Sequence, residues 1–318
     1  MICSNLLHLS YNMWGDWQNP PMGPHWCAQP YLRFDQALWD DLLQSMAKHG
    51  FNQVVIDLGD GVEYASQPSV RVKGAWSAKK LREELRKCRD MGLEPIPKMN
   101  FSACHDQWLG KYSKMVSTDE YYAVVKSLIE EGVELFDTPR FFHLGMDEEE
   151  PQHQEAFQYA VCRRFDLWWK DVLWMCALVE AKGARPWIWS DYVWNHVDEF
   201  YARMPRTVLQ SNWYRDPVRG PAKSVYGGKM GMDVECVKTY VDLDKAGYEQ
   251  IPAVSNWETP DNIYGTVEFC RRNVSKERLL GYLLTPWVPT LEEMRGRHID
   301  AIEHFAKAIR QGGTCRDL

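Results

Sequence analysis

The clearest candidate for chemistry is a run of acidic residues in the middle of the chain. An apolar stretch ending in His143-Leu144-Gly145-Met146 is followed directly by Asp147-Glu148-Glu149-Glu150. Successive side chains of a strand alternate between its faces, but the pleat gives way to loop at the strand end, so Asp147 and Glu148 can both reach one pocket. Two carboxyl groups in one pocket do not ionise independently. One of the two pKa values is raised, which suits a reaction that needs a neutral acid beside an anion. Four acidic residues in a row also fit a solvated loop, and the pattern alone leaves that alternative open.

Tryptophan is unusually frequent, with 15 copies in 318 residues. A Trp ring offers a flat apolar face and one N–H donor, which suits the C–H faces of sugar rings. Such residues stand at five predicted strand ends, namely Trp14, Trp189, Trp213, Trp257 and Trp287. Polar groups stand at or just after the ends of predicted strands two, three, five and seven, namely Asp60, Asn100, His105, Asp191 and Glu258. Each Trp alone fits a core position, but the whole set at one end of a barrel favours a carbohydrate site.

Eight short apolar runs alternate with segments of helical period, and these elements must position the candidate residues. The predicted strands are 6–14, 53–58, 94–101, 140–146, 186–192, 207–213, 251–257 and 279–287. The predicted helices are 35–49, 77–91, 118–136, 154–182, 196–204, 233–246, 259–273 and 291–310. Near-continuous apolar strands are typical of parallel strands buried on both faces. The pattern therefore predicts an α/β fold, a (β/α)8 TIM barrel formed as a single domain over residues 1–318. An open doubly wound sheet would instead need a Gly-rich phosphate turn after the first strand, and residues 12–16 form none.

Composition excludes several other classes of protein. The chain carries 37 Lys and Arg against 44 Asp and Glu, a net charge of −7, without a basic block, so no nucleic-acid partner is expected. No apolar run is long enough to span a membrane, and the first residues do not resemble a signal peptide. The nine cysteines are scattered and never spaced Cys-x-x-Cys. We therefore expect free thiols in a cytoplasmic protein, with no cofactor and no structural metal.

The acidic run and three other stretches resemble a known family. His143-Leu144-Gly145-Met146-Asp147-Glu148 resembles the His-x-Gly-x-Asp-Glu signature of glycoside hydrolase family 20, the β-N-acetylhexosaminidases. Residues 55–60 with 74–76 resemble the second strand and acidic loop of that family, and residues 91–100 with His105 resemble its third strand. Residues 187–191 and Trp287 fit its aromatic strand ends. The resemblance covers the whole predicted barrel, although only the fourth-strand motif is specific.

The resemblance implies a reaction and roles for individual residues. In this family the 2-acetamido oxygen of the sugar attacks the anomeric carbon, so no enzyme nucleophile is needed. Glu148 would then be the general acid and base, and Asp147 would hold and polarise the acetamido group. His143, His105 and Asp60 would support the acid, while Trp189, Trp213 and Trp287 would wall the acetamido pocket. The expected activity is exo-acting, retaining hydrolysis of a terminal 2-acetamido sugar.

Two positions depart from the family pattern. An Arg usually ends strand one and grips sugar hydroxyls, but residues 10–14 of this chain contain none. A Glu usually stands two residues after the strand-eight Trp, and here that position is Pro289. The motifs therefore predict the class of reaction, whereas they do not predict which sugar is the substrate.

Three alternatives remain open on the sequence. A retaining glycosidase with two catalytic carboxylates would use Glu148 as acid and Glu258 as nucleophile, with their carboxyl groups about 5–5.5 Å apart. A sugar-binding barrel without catalysis would fit the altered sugar clamp. A metal site would recruit His8, His105, His143 and Asp147, but their spacing is not that of a metal motif.

Overall fold

A computed structural model describes residues 1–14, 25–155, 157–214 and 230–311 of the chain, and the side chains of the last range from residue 235 onward. The first two residues of the predicted sixth helix, 233 and 234, lie outside the described side chains. Since the described ranges leave gaps, the single domain over residues 1–318 stays a prediction.

Eight parallel strands form the centre of the molecule. They are β1 (Ile2–His8), β2 (Gln53–Asp57), β3 (Glu94–Lys98), β4 (Phe141–His143), β5 (Arg185–Trp189), β6 (Leu209–Ser211), β7 (Ala253–Val254) and β8 (Gly281–Leu284). Their order in the sheet is β6-β5-β4-β3-β2-β1-β8-β7. Backbone hydrogen bonds join Gln210 of β6 to Glu249 and Ile251 just before β7, which brings the two edges of the sheet together. The predicted (β/α)8 barrel is confirmed.

Eight helices follow the strands. They are α1 (Gln36–Lys48), α2 (Ala78–Asp90), α3 (Asp119–Leu135), α4 (Asp166–Ala181), α5 (Val197–Arg203), α6 (Met230–Lys245), α7 (Asp261–Asn273) and α8 (Arg295–Gln311). The side chains of Asp35, Ser77 and Thr118 accept hydrogen bonds from the first backbone N–H groups of α1, α2 and α3. These caps explain why the predicted starts of those helices agree with the structure to one residue.

Element bounds differ from prediction where burial overrides composition. Strand β1 begins at Ile2, four residues before its predicted start, because the polar side chains of Ser4 and Asn5 are fully buried. Helix α4 begins at Asp166 and not near residue 154, since Pro151–Gln154 forms a separate short 3-10 helix. Most strands also end earlier than predicted, so the residues that follow them belong to the loops of the site.

The hydrophobic core has two layers. Side chains such as Leu6, Val55, Ile96 and Trp187 fill the inside of the barrel, and a larger layer packs the helices against its outside. Charged side chains also lie in the buried core. Lys98 of β3 and Asp57 of β2 form an ion pair there. None of the helices in the described ranges combines the length and hydropathy needed to cross a membrane.

Candidate active site

A pocket opens at the carboxyl end of the barrel, and it is walled mainly by aromatic rings. The space between its walls, including the part open to solvent, is about 410 Å³. Its lining residues follow the ends of four strands, β4, β6, β7 and β8, or lie in the loop after β1: Met13, Trp14, Trp26, Asp147, Glu148, Trp213, Trp257 and Trp287. Barrel enzymes place their catalytic groups at this end. The fold thus brings Asp147 and Glu148 to the same pocket.

The backbone before the two acids adopts an unusual conformation. Gly145, Met146 and Glu148 all have positive φ, at 74°, 72° and 56°. A Cβ at residue 145 would lie 2.1 Å from Oδ1 of Asn100, so only glycine fits there. Non-glycine residues with positive φ cost free energy and occur often at functional sites. This turn ends the strand pleat and allows neighbouring residues to face one pocket.

Asp147 is held as a buried carboxylate. Nδ2 of Asn100 donates to its Oδ1 at 2.8 Å, and Nε2 of His105 lies 3.4 Å from its Oδ2. Burial by itself would raise the pKa of Asp147, but the charge and hydrogen bond of His105, with Lys98 and Asn100, hold it well below its usual range. Asp147 is therefore an anion at neutral pH, with its orientation fixed by the loop after β3.

His105 links the two acids. Its Nε2 lies 3.0 Å from Oε2 of Glu148. Burial alone would lower the pKa of His105, yet the charges of Asp147 and Glu148 and the hydrogen bonds to them raise it to about 10. An imidazolium is thus shared between the two carboxyl groups. The ring of Trp14 packs edge-on against it at 4.4 Å between centroids.

Asp191 is a third carboxyl group of the same cluster. Its Oδ2 accepts a 2.7 Å hydrogen bond from the backbone N–H of Glu148, and its Oδ1 accepts from Nε1 of Trp213 at 3.4 Å. Burial, and then the charges of Asp147 and Glu148, raise the pKa of Asp191 well above its usual range. A raised carboxyl pKa was predicted for the Asp147–Glu148 pair, but on the Asp147 side the shift is downward and Asp191 shows the rise. We call Asp147, Glu148, His105 and Asp191 the mouth cluster.

The rest of the acidic run points elsewhere. Glu149 is buried behind the pocket, where its Oε1 lies 2.6 Å from NH1 of Arg163, and Nε of Arg163 lies 2.7 Å from Oδ2 of Asp171. We call Glu149, Arg163 and Asp171 the rear cluster. Glu150 is half-buried and pairs with His196 at 2.7 Å. The solvated-loop alternative is therefore wrong, because all four acids make specific contacts.

Three of the Trp residues predicted to bind substrate line the pocket: Trp213, Trp257 and Trp287. Trp287 has a positive φ of 54°, and its carbonyl accepts a 2.8 Å hydrogen bond from the Tyr11 hydroxyl. Trp14, predicted at the end of strand one, also lines the pocket, stacked obliquely on Trp26 with centroids 4.1 Å apart.

Two predicted substrate contacts lie beneath the pocket instead. Trp189 is fully buried inside the barrel, since the alternation of β5 turns it inward, and Trp287 separates it from the pocket. His143 is fully buried beside it, with ring centroids 4.4 Å apart. Nδ1 of His143 accepts from the N–H of Gly145 at 3.0 Å, and burial holds its pKa well below the ordinary value. Trp189 thus fills the barrel and His143 supports the turn before Asp147 in this structure, and a contact of either residue with a substrate stays a prediction.

Two further candidates lie outside the pocket lining. Asp60 is buried and accepts hydrogen bonds from Ser10 and from Asn12, the latter at 2.8 Å, and burial raises its pKa to about 6. These bonds fix the loop after β1 in the region where the family pattern has an Arg. Glu258 is exposed before α7. The structure thus places neither carboxylate against the pocket.

Sequence reasoning missed several residues of the site. Neither Trp26 nor Met13 is among the predicted site residues, and both line the pocket. The side chains of Cys104, His105 and Glu148 each offer an atom that can bind a metal, all within 4.8 Å of one another. The neighbouring positions 104 and 105 could have drawn attention to Cys104, but nothing near in sequence links them to Glu148.

A (β/α)8 barrel with an acidic, Trp-walled pocket at its carboxyl end is a fold and site typical of carbohydrate-active proteins. No protein-family model and no curated protein matches the sequence. Several solved structures share the fold. One is the chitobiase of Flavobacterium johnsoniae, with a TM-score of 0.62 and 15% identity over 86% of this chain and 46% of that one.

Two other solved structures, a hexosaminidase and an N-acetylglucosaminidase, also share the fold. The N-acetyl-beta-hexosaminidase of Streptomyces plicatus gives a TM-score of 0.64 at 12% identity, over 96% of this chain and 62% of that one. An inactive variant of the GH20 exo beta-N-acetylglucosaminidase of Vibrio harveyi gives 0.66 at 10% identity, over 99% of this chain and 55% of that one. The chain thus spans between about half and two thirds of the length of these three proteins. The likeness establishes a shared barrel fold, in agreement with the resemblance found in the sequence.

Proposed function

We propose that this chain is an exo-acting glycoside hydrolase that removes a terminal 2-acetamido sugar by substrate-assisted, retaining cleavage. One observation carries the proposal: Asp147 and Glu148 follow one another on a turn and both line a Trp-walled pocket at the carboxyl end of the barrel. The fold shared with solved hexosaminidases supports the same reaction class.

Asp147 would act on the acetamido group. As a buried anion held by Asn100 and His105, it can accept the amide N–H of the substrate and stabilise the positive charge that develops on that group. The acetamido oxygen then attacks the anomeric carbon while the bond from that carbon to the leaving oxygen breaks. No side chain serves as nucleophile in this scheme.

Glu148 would move the proton. In the first step its carboxyl group donates a proton to the leaving oxygen, and in the second it takes a proton from the water that attacks the anomeric carbon. His105 at 3.0 Å and the Asp191 bond to the backbone of residue 148 fix the position of Glu148. The two displacements occur on opposite faces of the sugar, so the configuration is retained.

The rings would bind the sugar. Trp213, Trp257 and Trp287 can pack against its C–H faces, and the filled barrel beneath Trp287 closes the floor. A pocket closed at its floor accepts a chain end, which supports exo cleavage. The sugar is proposed only as a class, that of the 2-acetamido sugars.

Hydrolysis of nitrophenyl N-acetyl-glucosaminide and N-acetyl-galactosaminide by three proteins tests the proposal. Glu148→Gln should lower kcat by about 10²–10⁴-fold, the usual contribution of a general acid and base. Glu150→Gln is the matched control, because this neighbouring acid pairs with His196 outside the pocket, and it should retain most of the activity. Equal rates for wild type and Glu148→Gln would refute the assigned acid.

The same experiment separates the alternatives. Cleavage of plain nitrophenyl glucosides, but not of acetamido sugars, together with its loss in Glu258→Gln, would favour the two-carboxylate mechanism. Binding of an acetamido-thiazoline inhibitor by a protein that cleaves no aryl glycoside would favour a sugar-binding barrel.

A further inference from the structure

The loop after β3 places a thiol beside the proposed acid. Cys104 and His105 lie in a tight turn, in which the N–H of Cys104 donates to Oγ of Ser102 at 3.1 Å and the N–H of His105 to the Ser102 carbonyl at 3.0 Å. The N–H of Ala103 donates to Glu149 at 2.9 Å, which fastens this turn to the loop that carries Glu148. The turn therefore has a defined position relative to Glu148.

Three different metal-binding groups converge at this point. One atom each of Cys104, His105 and Glu148 lies within 4.8 Å of the other two. A thiolate, an imidazole and a carboxylate form a donor set that Zn²⁺ and Cd²⁺ prefer over Mg²⁺ or Ca²⁺. Three protein ligands would leave a fourth position for water, as at many zinc sites.

The proposed hydrolysis assigns no role to the thiol of Cys104 or to Nδ1 of His105. It uses no thiol, and Cys104 is not among the residues that line the pocket. The thiol of Cys104 donates a hydrogen bond to the carbonyl of His153 at 3.7 Å. Nδ1 of the fully buried His105 has no hydrogen-bond partner among the described residues. Glu148, which lines the pocket and is 14% exposed, provides a path by which an ion can enter.

We propose that Cys104, His105 and Glu148 form an inhibitory site for a thiophilic divalent cation such as Zn²⁺ or Cd²⁺. The bound ion takes the Glu148 carboxylate as a ligand, so that Glu148 cannot carry the proton that the leaving oxygen needs. It also takes a ring nitrogen of His105, so that binding releases the thiol proton of Cys104 and one ring N–H proton of the His105 imidazolium to solvent. The inhibitory effect rests on the proposed function, whereas the binding of the ion does not.

Two measurements on chelator-treated protein test this site. The first titrates Cd²⁺ and follows the ultraviolet thiolate-to-metal charge-transfer absorbance of wild type, Cys104→Ser, Cys104→Ala and Cys162→Ser. Cys162 is the matched control, since this half-buried cysteine lies outside the proposed site. The absorbance band should weaken in both Cys104 variants by the contribution of one thiolate. In Cys162→Ser it should stay at the wild-type level.

The second measurement follows hydrolysis with Zn²⁺, Cd²⁺ or Mg²⁺, each variant being compared with its own metal-free rate. Zn²⁺ and Cd²⁺ should inhibit wild type and Cys162→Ser at concentrations at least tenfold lower than either Cys104 variant, and Mg²⁺ should have no such effect. Equal Cd²⁺ absorbance in wild type and both Cys104 variants would overturn the site. Equal inhibition of all four proteins would overturn the inhibition. A protein without hydrolase activity would refute the proposed function, while the absorbance titration would still decide the metal site.

Discussion

Two groups of buried charged side chains lie on either side of the backbone of residues 147–149. They differ in the cation that contacts their carboxyl groups. In the rear cluster one guanidinium, Arg163, contacts both Glu149 and Asp171 and is itself fully buried. In the mouth cluster a single imidazolium, His105, faces two carboxyl groups, and a third, Asp191, has a raised pKa. On one side of the loop two carboxyl groups are held by a guanidinium, which does not lose its proton, and on the other side they are held by an imidazolium, which can exchange a proton with a ligand.

The difference shows how one acidic run serves two purposes. The positive φ of Glu148 turns adjacent residues to opposite sides, so Glu149 anchors the loop while Glu148 faces the pocket. Perturbed carboxyl groups in a cleft are typical of functional sites, whereas a buried network of ion pairs around an Arg more often serves structure. This comparison leads to three predictions.

The largest effect is expected for Arg163→Met in the rear cluster. It leaves the buried carboxylates of Glu149 and Asp171 without their cation, which should lower the free energy of unfolding by about 3–5 kcal/mol in urea denaturation. The control is Arg203→Met, which breaks exposed ion pairs with Asp166 and Glu199 and should change the free energy of unfolding little. Adding Glu149→Gln and Asp171→Asn to Arg163→Met should recover part of the loss. Equal stabilities of the two single variants would contradict the structural role of the rear cluster.

A somewhat smaller effect, on rate and not mainly on folding, is expected for Asp147→Asn in the mouth cluster. Removing the anion beside the acetamido group should lower kcat by about 10²–10³-fold, similar to the loss of one preorganised electrostatic contact. Steady-state kinetics on the nitrophenyl acetamido sugars measures this, with the exposed Asp198→Asn as control. If Asp147→Asn instead lost as much stability as Arg163→Met and little activity, the two clusters would not differ as described.

The smallest effect concerns Asp60, a buried carboxyl group held by the neutral donors Ser10 and Asn12. Burial raises its folded-state pKa from 3.8 to about 6. The unfolded chain therefore releases this proton at lower pH, so the stability that Asp60 contributes is complete below pH 3.8 and is lost as pH rises through 6. At 1.36 kcal/mol per pH unit, the loss reaches about 3 kcal/mol at most.

Asp60→Asn should remove this pH dependence. Its free energy of unfolding relative to wild type should increase between about pH 4 and pH 7, by up to about 3 kcal/mol, in denaturation at a series of pH values. The exposed Asp198→Asn should leave the pH slope of the wild type unchanged. A relative stability of Asp60→Asn that stays constant with pH would show that Asp60 ionises alike in the folded and unfolded chain.

Much of the fold could be predicted because its signals are local. Hydrophobic period identified all eight strand–helix units, and the caps Asp35, Ser77 and Thr118 marked three helix starts. The start of β1 was missed because Ser4 and Asn5 look like loop residues, although the closed barrel buries them. The start of α4 was missed because the apolar period does not show where the preceding turn ends.

The site was predicted less completely, since side-chain direction depends on distant contacts. Trp189 and Trp213 both follow strand-like runs, yet one fills the barrel and the other lines the pocket. Their sequences do not distinguish them, because the tilt and stagger of the strands decide which residue lies at the rim. Trp26 was underestimated for the same reason: its position depends on contacts with Trp14 and Trp257.

By itself the sequence determined the order of the elements, the barrel, and the presence of two adjacent acids at the end of β4, because period, caps and motif depend on residues close in the chain. Only the tertiary structure decided that Asp147 and Glu148 face a pocket while Glu149 faces Arg163, since that depends on the positive φ values of the turn and on loops from β3 and β5. It also decided the protonation pattern. The pKa values of His105 and Asp191 follow from burial and from charges more than 40 residues away in the chain, which come together only when the barrel closes.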